Sequence, residues 1–141
     1  MRILITILVF VLAGWLWQKR NQELKADELR IQLIDVRSQA VQSKAIAEGR
    51  LSNKLTERYY YAQLGWIRQK TDAVSSTLSA KPPDPKMADE ASVLTEITQR
   101  LGAVEQSLVA SADPEILASV TKTLIDLISR LNAVERRLLG G

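Results

Sequence analysis

The chain contains no cysteine and no histidine. Their absence excludes disulfides, thiolate nucleophiles, Cys/His metal sites and imidazole acid–base catalysis. Aromatic residues make up only 5%, with a single Phe, and there are few Gly (6) or Pro (4). Long stretches without either breaker favour helices over the turn-dense pattern of small β proteins. No Gly-rich phosphate loop is present, and no carboxylates stand at metal-ligand spacing. No enzymatic activity and no cofactor are therefore expected. What is there is 141 residues, 46% hydrophobic and 25% charged, enough for one small domain or an elongated set of helices.

The net charge of +3 is unevenly spread. Residues 18–81 carry 12 basic and 7 acidic side chains, and residues 82–141 carry 6 basic and 9 acidic ones. Two solvated helical surfaces of opposite sign account for this. Attraction between the halves, or to different partners, is the functional alternative.

Residues 3–17, ILITILVFVLAGWLW, hold no charge over fifteen positions. As a helix this run covers about 22 Å, short of the ~30 Å hydrocarbon core of a bilayer. Flanking Arg2, Lys19 and Arg20 could extend it by snorkelling, and Trp15 and Trp17 suit a headgroup boundary. The expectation is an uncleaved transmembrane anchor over 1–18, with Ile3, Leu4, Ile7, Phe10, Leu12, Trp15 and Trp17 as its anchoring side chains. It implies a single-pass protein of the bacterial inner membrane, or alternatively a phage virion component. A cleaved signal peptide is the weaker reading, since no A-x-A pattern follows. A helix buried inside an oligomer also fits the length. Orientation stays open, because Arg2 precedes the segment and the basic cluster follows it.

Residues 19–80 read as a long amphipathic helical stem, either one helix or two stacked ones, mildly interrupted at Gly49 and Gly65. Leu29, Leu33, Val36 and Ala40 form one stripe, and Leu24, Ile31, Ile34 and Val41 another. Tyr60, Leu64, Ile67, Thr71, Val74 and Leu78 continue at alternating steps of four and three, a heptad-type seam. Ala40, Ala45 and Ala47 could allow close helix approach. Tyr59, Tyr60 and Trp66 form an aromatic group that is either a partner platform or helix packing. Nucleic acid is not expected as a partner, although Lys54, Arg58, Arg68 and Lys70 would tolerate a phosphate backbone.

Residues 81–86 form a Pro-rich hinge, where three prolines in four positions stop the helix. Asp84-Pro85 and Asp113-Pro114 each combine a capping carboxylate with Pro at the first helical position. Residues 87–141 are then two arms. Arg100-Leu101-Gly102-Ala103-Val104-Glu105 recurs as Arg130-Leu131-Asn132-Ala133-Val134-Glu135, by duplication or by convergence. The first arm offers Leu94, Ile97, Leu101, Val104 and Leu108. The second offers Leu117, Val120, Leu124, Leu127, Leu131, Val134 and Leu138. A reversal near Ala112 sets Leu108 beside Leu117, Leu101 beside Leu124 and Leu94 beside Leu131, a helical hairpin. A kinked rod is the competing arrangement. An isolated pair of helices this size buries little area, so self-association into a homo-oligomer or packing on other protein subunits is expected. The fold class is all-α: a hydrophobic transmembrane helix, a long stem and a coiled-coil-like, oligomeric hairpin.

The opening MRILITILVFVLAGWLWQKR with the charged helix NQELKADELRIQLIDV resembles phage inner-membrane spanins. The likeness is architectural and covers about the first third of the chain. It implies a role in host lysis, with the helical part meeting an outer-membrane lipoprotein partner. Two further readings are a structural virion or DNA-delivery component and a cellular envelope scaffold of divisome or secretion type.

Overall fold

A computed structural model describes the backbone of residues 2–20 and 23–140, and side-chain exposure for residues 6–18 and 23–140. Five α-helices follow one another: α1 (Arg2–Arg20), α2 (Ala26–Leu51), α3 (Glu57–Ala80), α4 (Ala88–Ala110) and α5 (Pro114–Gly140). A short 3₁₀ turn, Pro85–Met87, precedes α4.

Helices α2 to α5 form an up-down-up-down bundle. Each packs on the next, α5 closes the ring against α2, and α2 also meets α4 across the centre. Side-chain pairs fix the antiparallel sense. Lys81 at the end of α3 pairs with Glu28 at the start of α2. Arg37 of α2 pairs with Glu135 near the end of α5. Arg130 of α5 reaches Glu96 of α4 at 3.1 Å. These pairs are part-exposed, so they set register more than they add stability. The core is one apolar cluster drawn from all four helices.

The stem of residues 19–80 is thus two helices folded back on each other, neither one rod nor an end-to-end stack. Local chemistry between Leu51 and Thr56 makes the reversal. Asn53 adopts φ 55°, a left-handed value that Asn tolerates better than most residues. Thr56 caps α3 by accepting from the Tyr59 N–H at 3.3 Å. Gly49 leaves room for Leu55, whose side chain would stand 2.9 Å from a Cβ there. Arg50 spans the turn and donates to the Leu55 carbonyl at 3.1 Å.

The other end of this hairpin is tied by backbone bonds. The Leu24 N–H donates to the Pro82 carbonyl at 2.9 Å, and the Asp84 N–H donates to the Leu24 carbonyl at 3.0 Å. The Pro-rich hinge is therefore also a clasp on the start of α2. Asp84 caps the 3₁₀ turn through the Lys86 N–H at 2.9 Å, with Pro85 at its first position. Asp113 accepts from the Glu115 N–H at 3.1 Å, and Pro114 opens α5.

The arms form the expected hairpin, joined by Ser111-Ala112-Asp113. Leu94, Ile97, Leu101, Leu108, Leu117, Val120, Leu124, Leu127, Leu131 and Val134 are buried. Val104 and Leu138 are half-buried against the same core, as is Met87 at the open end. These seams are filled by α2 and α3 of the same chain, so their burial does not depend on an oligomer. The sequence did not show that the stem would fold back to cover the arms.

Among the described residues, no helix is long and apolar enough to cross a membrane. This corrects the expected transmembrane anchor and the single-pass inner-membrane placement. The described apolar side chains of α1 run from Ile7 to Trp17. The uncharged run within this helix, residues 3–17, reaches about 22 Å, short of a ~30 Å core. Ile3 and Leu4 of the expected anchor lie outside the residues whose side chains are described.

Candidate functional site

Two features of the chain are not explained by packing of the bundle: the surface of α1 and a polar layer within the core. From Ile7 to Leu12, every side chain of α1 is exposed, Phe10 by 74%. Six consecutive residues pass through more than one full helical turn, so the apolar surface goes all the way round. Trp15, Leu16 and Trp17 are exposed as well. Among the described residues, α1 forms no extensive packing with any bundle helix. A helix apolar on every side is ordinarily enclosed by other apolar groups, and exposed apolar patches of this kind mark association surfaces.

The aromatic group divides between two roles. Tyr59 and Trp66 are exposed on α3, whereas Tyr60 is completely buried. The Tyr60 hydroxyl donates to the Leu108 carbonyl at 2.9 Å. Leu108 lies in the last turn of α4, where carbonyls have no intrahelical donor, so Tyr60 caps that helix from the side. Burial pushes its phenol up to about 12, with Tyr61 adding to the rise and Arg50 opposing it. Tyr61 meets the Tyr60 ring edge-on at 5.1 Å. A three-residue platform of Tyr59, Tyr60 and Trp66 therefore does not form. Trp66 instead borders an open cleft of about 410 Å³ between α2 and α3, with the Lys70 ammonium 4.8 Å above its ring.

The polar layer centres on Glu105 of α4, which has no exposed surface. Its Oε1 accepts from the Thr71 hydroxyl of α3 at 2.7 Å and from the Ser43 hydroxyl of α2 at 3.4 Å. Its Oε2 is buried without a partner, and so is the Oε1 of Gln39, one turn before Ser43 on α2. Burial raises the carboxyl from 4.5 to about 7, against the opposing effect of the two hydroxyl bonds. Asp72 adds to the rise and Arg68 opposes it.

Apolar lettering alone misses this layer, although the spacing carries it. Leu94, Thr98, Leu101, Glu105 and Leu108 follow steps of four and three, and all five are buried. Choosing Ile97 and Val104 on hydrophobicity passes over Thr98 and Glu105. On α2 the stripe Leu29, Leu33, Val36, Ala40 continues through Ser43 and Ala47 at the same steps, and both are buried. Ile31, Ile34 and Val41, the second stripe expected on α2, are exposed.

Among the described residues, no group of three or more acidic side chains could hold a metal ion. No family model, curated protein or solved structure matches the chain. The fold and its surfaces define an all-α bundle with a protruding apolar helix.

Proposed function

We propose that the chain is a non-catalytic assembly component, in which the four-helix bundle is the body and α1 is the docking element. The observation that carries this reading is the contrast in coverage: the bundle's seams are filled from within one chain, while α1 is exposed all round. The partner is a protein surface that encloses α1, supplied by further copies of the chain. The basic residues at both ends of α1, Arg2 and Lys19-Arg20, mark where the enclosed stretch stops. The spanin resemblance rested on an anchor that crosses a membrane, and the described part of α1 does not provide one.

Deleting residues 1–18 tests the reading. The truncated chain should keep the helicity of α2 to α5 and its cooperative melting, because α1 supplies no described side chain to the core. It should also lose association, measured as mass by light scattering after size exclusion. Full-length protein that is monodisperse and monomeric without detergent would overturn the proposal.

A further inference from the structure

We propose that the Glu105 layer is a proton-operated latch: Glu105 is carried in the closed bundle as a neutral carboxylic acid, and its ionisation loosens α4 from α2 and α3. The argument starts from geometry. A carboxylate offers about four acceptor sites and no donor. Here both hydroxyl donors, Thr71 and Ser43, converge on one oxygen, and the other oxygen is sealed from water without a partner. That is a poor environment for a full negative charge, whose burial is costly unless it is paired. It suits a carboxylic acid better, since Oε2 then becomes a donor.

The groups around Glu105 supply no compensating cation at contact distance. From α3 it feels Asp72, which opposes ionisation, and Arg68, which favours it. From α2 it meets Ser43, and one turn earlier stands the buried amide of Gln39, whose oxygen also lacks a donor. On α4 its buried neighbours at one turn are Leu101 and Leu108, and α5 buries only apolar side chains. A proton on Oε2 removes the unpaired charge. Loss of that proton leaves a charge at the junction of three helices. Water entry through displacement of α4 is then the simplest way to solvate it.

The same arrangement of groups gives the expected direction. The native state holds this proton more tightly than the unfolded chain does, so folding is favoured most below the ordinary value of 4.5. The advantage is lost as pH rises through about 7. The full displacement corresponds to a change of roughly a few hundredfold in the unfolding constant. The latch does not depend on the docking role of α1.

The experiment follows full-length protein from pH 4.5 to 8.5. Carbon-13 NMR of the Glu105 side-chain carboxyl should show a titration near neutrality. Urea unfolding of the unaltered chain should show the unfolding constant rising with pH across that window, and Glu105→Gln should flatten the rise. Hydrogen exchange, corrected for intrinsic rate, should show α4 amides around Glu105 less protected at pH 8.5 than at pH 6, with no such difference in Glu105→Gln. A carboxyl titrating at 4 to 4.5 would overturn the proposal even if the variant fails to fold. So would equal pH slopes in both proteins, or α4 protection that does not change with pH.

Discussion

The two hairpins of the bundle, α2–α3 and α4–α5, use the same alternation of four- and three-residue steps, yet they fill their seams differently. Helix α5 buries Leu117, Val120, Leu124, Leu127, Leu131 and Val134. Helix α2 buries Leu29, Leu33 and Val36 in its first half, then Gln39, Ala40, Ser43, Ile46 and Ala47. The α5 seam is bulky and wholly apolar. The later half of the α2 seam is mostly small and polar, and it is there that α4 brings in Glu105. A bundle can therefore hold an ionisable group centrally where small residues and hydroxyls replace Leu. The stability of the α5 side comes from volume, and that of the α2 side from close approach, with the Gln39 and Glu105 oxygens there only partly satisfied.

Three substitutions sharpen this contrast, beginning with the largest effect. Leu124→Ala removes a fully buried side chain from the α5 seam. Cavity formation should cost about 2–5 kcal/mol in urea unfolding. A cost under about 1 kcal/mol would mean that the seam can collapse and is not packed as described. Ala47→Leu makes the opposite change at a fully buried position on α2. Overpacking there should cost about 1–3 kcal/mol. If the larger side chain stabilises the protein instead, the α2 side contains space that a tight seam would not have. Tyr60→Phe leaves the ring in place and removes the donor to the Leu108 carbonyl. The loss should be about 1 kcal/mol, with faster amide exchange confined to the last turn of α4. An unchanged melting curve and exchange pattern would show that water replaces the hydroxyl. The pH dependence of Glu105 falls between these in size, at about 3 kcal/mol over its whole range.

The hairpins also differ in how far the sequence reveals them. The α4–α5 reversal is legible because Asp113-Pro114 both ends one helix and caps the next, and because Leu101 and Leu124 fall in register across it. The α2–α3 reversal has no proline. It depends on Asn53 in a left-handed conformation, on Thr56 as a cap and on Leu55 closing over Gly49. Such signals are short and compete with strong helical periodicity on both sides, so the stem reads as continuous. The same limit separates Tyr60 from its neighbours. Three consecutive tyrosines look equivalent as letters, but the 3.6-residue period directs only the middle one inward.

The sequence by itself determined the helical class, the heptad-type spacing of α3, α4 and α5, and the capped starts at Asp84 and Asp113. Each follows from local chemistry or from a period along one helix. Only the tertiary structure decided which stripes are covered. Leu94 to Leu138 look like a surface awaiting other subunits until α2 and α3 close over them. Ile31, Ile34 and Val41 look like a second core stripe until the bundle leaves them outside. Glu105 looks like an ordinary solvated acid until three helices meet around it. Periodicity fixes the face of a helix on which a residue lies, whereas the neighbours set against that face decide whether it meets water, a leucine or an unpaired oxygen.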